Sequence, residues 1–131
     1  MNEKVINWID ISDYDLETAQ AMLESKRYLY VGFMCHQSIE KILKACYELI
    51  KNDSPPYSHN LNRLIELTNL NSMLSENQNE LIFELQPLNI RARYPAYRDA
   101  LFKYLKSDKC IEIINNTKEF QKWIKEKLEI N

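Results

Sequence analysis

Gly32 is the only glycine in this sequence, and four prolines are the only other strong turn formers of its kind. A β-sandwich or barrel turns often and would need many more such residues. Rossmann and P-loop enzymes cluster glycines to bring backbone against phosphate. Neither class fits. The length of 131 residues suits one domain around one core, so residues 1–131 read as a single helical domain.

The spacing of apolar residues supports helices throughout. Residues 3 to 25 read as the first, with Ile9, Leu16, Ala19 and Leu23 at helical spacing. Glu3 near its start and Lys26 and Arg27 past its end suit the helix dipole. Residues 28 to 51 read as a central helix. Tyr28, Gly32, Cys35, Ile39, Ile42, Cys46 and Leu49 follow steps of four and three, and Gln37, Glu40, Lys41, Lys44, Glu48 and Lys51 form a polar stripe. The first half of that helix has little polar face, which predicts burial on most sides. Gly32 would admit another helix closely. Asn52, Asp53, Ser54, Pro55 and Pro56 then end it. A short third helix begins near Ser58 to Asn60 and carries Leu61, Leu64 and Ile65. The fourth begins at Ser75, with Gln78 three residues on as a capping box. Pro87 should kink or break it, and Pro95 interrupts the chain again, with Tyr94 pushed out of helical geometry. A final helix runs from Ser107 or Asp108 to Leu128, with Cys110, Ile113, Thr117, Phe120, Ile124 and Leu128 on one side. The predicted fold class is all-α, an up-and-down bundle of about five helices.

The opening MNEKVINWIDISDYD has no basic start before an apolar run, so no signal peptide is expected. No stretch approaches the ~20 apolar residues of a membrane span. Cys35, Cys46 and Cys110 form no CxxC pair, and their odd number suits a reducing cytosol, with each thiol a small buried apolar group. The expectation is a cytoplasmic protein with no membrane contact.

Charge is unevenly placed. The net charge is −2, yet between Arg91 and Lys109 six basic side chains stand against two acidic ones, a local +4. The rest of the chain carries −6. Such asymmetry points to an anion-binding patch on an acidic body; the alternative is an ordinary solvated face.

Several short pieces occur in a set order. Asp15 and Leu16, with Ala19 and Leu23, lie in the first helix. His36-Gln37-Ser38-Ile39-Glu40-Lys41-Ile42-Leu43-Lys44-Ala45 lies in the second. His59-Asn60-Leu61 follows, and then Ala92-Arg93-Tyr94-Pro95 with Tyr97. In this order the chain resembles a HEPN domain (higher eukaryotes and prokaryotes nucleotide-binding) of the ARYP-type prokaryotic kind, over nearly its whole length. The resemblance implies a helical bundle, related to the substrate-binding bundles of nucleotidyltransferases, often homodimeric. It implies pairing, in many members, with a separately encoded minimal nucleotidyltransferase. Other members are ribonucleases, often toxins of toxin–antitoxin pairs, in which an arginine and a histidine four to six residues later act on the RNA phosphodiester. The arginine would hold phosphate charge and the histidine move a proton.

This sequence departs from the ribonuclease pattern. No histidine follows His59. Ala96, Tyr97 and Arg98 stand five to seven residues beyond Arg91, and Arg98, Asp99 and Ala100 beyond Arg93. Ala96 also replaces the aspartate that often follows the proline in related members. No catalytic residue is therefore assigned.

Arg91, Arg93, Tyr94, Tyr97 and Arg98 are the ligand-binding candidates. Guanidinium forks fit phosphate oxygens and tyrosine rings can stack on a base. The alternative is that Tyr94 packs and the arginines cap helix carbonyls or pair with Glu40. Gln37, Glu40, Lys41 and Lys44 form the family-like helix motif; as plain structure, Glu40 and Lys41 would make an exposed or inter-helix ion pair. His36 and Glu40 share a helix face but lack a third ligand, so no metal is expected. His59 reads as a cap or loop-packing residue, or a remote general base only if folded beside the arginines. Tyr28 and Tyr30 read as core or interface aromatics. The resulting expectation is a non-catalytic module that binds a nucleotide or polynucleotide, pairs with a minimal nucleotidyltransferase and forms a homodimer. It needs no cofactor. A degenerate RNA-cleaving toxin and a purely structural dimerisation module are the competing readings.

Overall fold

A computed structural model describes residues 1–130. Among them are seven α-helices and one 3-10 turn, with no strand. They are α1 (Glu3–Glu24), α2 (Tyr28–Lys51), α3 (Leu61–Leu67), α4 (Glu76–Leu85), α5 (Leu88–Arg91), the 3-10 turn Pro95–Tyr97, α6 (Arg98–Tyr104) and α7 (Ser107–Ile130). The class is all-α, as expected, with more short segments than the five helices predicted.

α2 is the axis of the bundle. α1 packs along it, α7 lies against both, and α3, α4, α5 and α6 each touch it. Val31, Cys35, Ile39, Ile42, Leu43 and Ala45 are wholly buried there. The three-residue connection after α1 returns the chain antiparallel, and Lys26 makes the turn at φ 61°. Asn52 closes α2 in the same left-handed conformation, which asparagine tolerates better than most residues.

Small polar side chains let the three long helices meet. Ser12 Oγ donates to the Ser38 carbonyl at 2.7 Å and Ser38 Oγ to the Ser12 carbonyl at 2.9 Å. Gln121 Nε2 of α7 donates to Ser12 Oγ at 3.1 Å and to Asp13 Oδ1 at 2.8 Å. These groups are buried, so their mutual pairing removes the cost of orphaned donors and acceptors.

The region from 75 to 98 follows from its caps and prolines. Ser75 and Gln78 form the reciprocal capping box, with bonds of 2.8 and 3.1 Å. Pro87 breaks the helix, so α4 ends at Leu85 and α5 is a single turn. Gly32 sets where α5 lies: a methyl group on its Cα would collide with Leu88 Cδ1. The close approach expected of Gly32 is thus to the first residue of α5. This contact fixes the segment that carries the arginines against the centre of the bundle.

Candidate functional site

Two neighbouring turns of α2 carry the site. Gln37 and Lys41 face the chain that follows α4, and Glu40 and Lys44 point into the interior. Glu40 is 1% exposed. Its Oε2 accepts from Lys44 Nζ at 3.0 Å and faces Lys41 Nζ at 3.5 Å. Its Oε1 accepts from His59 Nδ1 at 2.8 Å. The Glu40–Lys41 ion pair is present but not exposed at Glu40, which is a buried hub within reach of Lys41, Lys44 and His59. Burial pushes its carboxyl up, but the His59 hydrogen bond and the Lys41 and Lys44 charges outweigh that and hold it below the usual carboxylate range.

His36 lies beside this hub, wholly buried. Its Nε2 donates to the His59 carbonyl at 3.1 Å, which leaves Nδ1 as a lone pair. Nδ1 has no hydrogen-bond partner and stands 3.9 Å from Glu40 Oε1, too far for a bond. Burial pushes the His36 imidazole down to about 4, so it is neutral near pH 7. Asp15 of α1 closes the outer side at 4.0 Å from Lys41 Nζ. Burial raises its carboxyl, opposed by the Lys41 charge.

A second cluster lies where α5 ends. Lys41 Nζ donates to Gln37 Oε1 at 2.7 Å, and Gln37 Nε2 donates to Asn89 Oδ1 at 3.1 Å. Asn89 sits in α5, and its carbonyl accepts from Arg93 Nε at 3.0 Å. A line of polar contacts thus runs from the Glu40 hub to the arginine turn. Tyr94 is extended at φ −118° and ψ 131°, as a residue before proline must be, and Pro95 starts the 3-10 turn. The chain direction changes here, between α5 and α6. Arg91, Arg93, Tyr94, Tyr97 and Arg98 are all exposed there.

Each guanidinium of the turn lies over a ring. Arg91 is 5.3 Å from the Tyr97 centroid, Arg93 is 5.6 Å from Phe33 and Arg98 is 5.1 Å from Phe102. Such contacts at exposed positions contribute about 0.5–1 kcal/mol each and leave the hydrogen-bonding edges open. None of the three arginines pairs with a carboxylate among the described residues. The alternative of pairing with Glu40 is not realised, because His59, Lys41 and Lys44 occupy that carboxylate. Capping is realised once, by Arg93 on the Asn89 carbonyl.

A groove of about 990 Å³ runs between α4 and α6 beside this turn. Phe83, Pro87, Leu88 and Leu101 line it, with Glu80 and Arg91 at its edges. Phe83 is 84% exposed, so the groove has an uncovered apolar wall.

The profile of the HEPN domain matches residues 5–128. The chain belongs to the HEPN domain family. The crystal structure of TT1696 from Thermus thermophilus superposes with a TM-score of 0.79 at 18% identity, over 96% of this chain and 99% of that one. The structure of ST0689, an archaeal HEPN homologue, superposes with a TM-score of 0.65 at 20% identity, over 97% of this chain and 98% of that one. At these identities the likeness bears on the fold. A comparison with curated proteins finds no match. No helix among the described residues is long and apolar enough to cross a membrane.

Within this HEPN bundle, Asn89, Phe33 and Gln86 are site residues that sequence reasoning does not reach. Asn89 joins the helix motif to the arginine turn, Phe33 supports Arg93, and Gln86 Nε2 donates to the His59 carbonyl at 3.1 Å. His59 is not the cap, since Asn60 caps α3; it packs its loop onto the bundle through Glu40. Tyr28 is half-buried and Tyr30 is 43% exposed.

Proposed function

We propose that this HEPN domain is a non-catalytic binding module that holds a nucleotide or polynucleotide on Arg91, Arg93, Tyr94, Tyr97 and Arg98. The observation that carries this reading is the set of three exposed guanidinium groups without a carboxylate partner. Lys44 and Lys41 pair with Glu40, Lys109 with Glu84 and Lys125 with Asp13, whereas these three guanidinium groups, within eight residues of one another, have no carboxylate partner among the described residues. Arginines left free of acids and backed by rings favour an external anion, and phosphate suits their fork geometry. Tyr94 and Tyr97 offer exposed ring surface for stacking. The absence of a histidine after His59 speaks against the arginine–histidine ribonuclease arrangement in this turn.

In the same reading the module pairs with a minimal nucleotidyltransferase and forms a homodimer. The pairing follows from the family resemblance. The dimer also has a physical basis in apolar side chains left exposed. At the start of α2, Leu29, Val31 and Cys35 are covered by the chain itself, whereas Tyr30 is 43% exposed. The groove beside Phe83 is an apolar surface left open, and the dimer is assigned to it.

Fluorescence anisotropy with a single-stranded oligonucleotide tests the binding. Arg91→Ala with Arg93→Ala should weaken it roughly thirtyfold, from about 1 kcal/mol for each exposed charge-assisted contact. Co-expression with a minimal nucleotidyltransferase tests the pairing: a stable complex is expected. Equal affinity of the double variant would remove the site, and failure of the two proteins to co-purify would remove the pairing.

A further inference from the structure

His59 is held at both ends. Its carbonyl accepts from His36 Nε2 and from Gln86 Nε2, each at 3.1 Å. Its Nδ1 lies 2.8 Å from Glu40 Oε1. The Glu40 carboxylate is ionised, kept so by this bond and by Lys41 and Lys44, and a carboxylate only accepts. In the neutral ring Nδ1 therefore carries the proton and Nε2 the lone pair. Nε2 meets no partner among the described residues, and the side chain is 64% exposed. The lone pair faces solvent. His36, the other histidine, has its free nitrogen sealed in the interior.

A free imidazole divides its proton between two nitrogens. Here a buried carboxylate fixes the proton on one and compensates any positive charge that the ring acquires. That is the arrangement of an activated nucleophile with its orienting group. We propose that His59 is a nucleophilic histidine that accepts a phosphoryl group on Nε2, with Glu40 as its positioning residue.

The choice of phosphorus as the electrophile rests on the anion-binding reading above; the activated nitrogen does not. Gln37, one turn before Glu40 on α2, anchors Asn89 and through it Arg93. His59, through Glu40, and Arg93, through Asn89 and Gln37, are thus tied to neighbouring turns of α2. A donor bearing phosphate charge is the electrophile that acid-free guanidinium groups attract. In the step, the Nε2 lone pair forms the N–P bond. The bond from phosphorus to the leaving group breaks, and its electron pair departs with that group. The Nδ1 proton stays in its hydrogen bond to Glu40, which balances the ring charge. A nucleoside triphosphate or an acyl phosphate would supply the phosphoryl group.

The test uses the intact chain and potassium phosphoramidate, whose zwitterion releases ammonia directly. One acid-labile phosphoryl group per chain, mapped to His59, is expected. Label should be absent from His59→Gln. It should form at least about tenfold more slowly in Glu40→Gln, where an amide donor would move the ring proton to Nε2. Nitrogen-15 spectra of the wild-type histidines, read on the neutral ring, give a second readout that needs no variant: His59 should show a protonated Nδ1 and a bare Nε2. A neutral ring protonated at Nε2, or equal labelling of Glu40→Gln and wild type, would overturn the dyad. Acylation of His59 by diethyl pyrocarbonate without labelling by phosphoramidate would overturn the choice of phosphorus. Neither readout depends on oligonucleotide binding, so failure of the arginine site is seen separately.

Discussion

Acidification should weaken this fold through His36, and replacing that side chain should remove the effect. An unfolded histidine titrates near 6.5, whereas burial pushes the folded His36 imidazole down to about 4. Between those values the unfolded chain holds a proton that the folded chain does not. The stability from keeping His36 neutral is complete above about pH 6.5 and is lost as pH falls toward 4. The slope approaches 1.36 kcal/mol per pH unit, so the loss from pH 6.5 to 5 is roughly 2 kcal/mol. For a chain of this size that lowers Tm by roughly 8 °C. Urea unfolding at pH 7, 6 and 5 measures it. His36→Gln keeps a donor for the His59 carbonyl but does not titrate, so its stability should fall about 2 kcal/mol less over the same range. Asp15 and Glu40 titrate in both chains and largely cancel in the difference. Parallel curves for wild type and variant would refute the reasoning, whatever their absolute stabilities.

Gly32→Ala should destabilise the chain by about 1 kcal/mol: overpacking against Leu88 outweighs the gain in helix propensity. Adding Leu88→Ala should reverse the sign of the Gly32→Ala effect, measured as a double-mutant cycle in urea. Ser75→Ala removes the capping box of α4 and should cost about 1 kcal/mol in the same assay, with the helical signal otherwise retained. Light scattering should give a dimer, and Phe83→Glu should shift it to monomer while melting of the bundle stays close to wild type. A wild-type monomer at high concentration would contradict the dimer.

Local signals made the helices legible. The boundaries of α2 at Tyr28 and Lys51, the capping box at Ser75 and the break at Pro87 are all local matters of spacing, capping and proline. α6 was not legible. Seven residues with only Leu101 buried give no apolar period to read. α3 begins at Leu61 with Asn60 as its cap, at the end of the Ser58 to Asn60 run from which its start is read. The five ligand candidates were legible as a basic, aromatic cluster around Pro95, and the structure gathers them on one exposed turn. The Glu40 hub was not, because its partner His59 is 19 residues away and the contact depends on how the loop folds back. One signal was available. His36 and Glu40 each adjoin the apolar positions Cys35 and Ile39, and a polar side chain next to a core stripe must find an internal partner.

The salt dependence of oligonucleotide binding tests the central claim most directly. Each arginine–phosphate contact on a single strand contributes about 0.7 to the slope of log affinity against log salt. The wild-type chain should bind a single-stranded oligonucleotide with a negative slope, and Arg91→Ala with Arg93→Ala should reduce that slope by about 1.4. The helical spectrum should be unchanged. Wild type and double variant with the same slope would place the anion contacts elsewhere and contradict the assignment of this turn as the binding site.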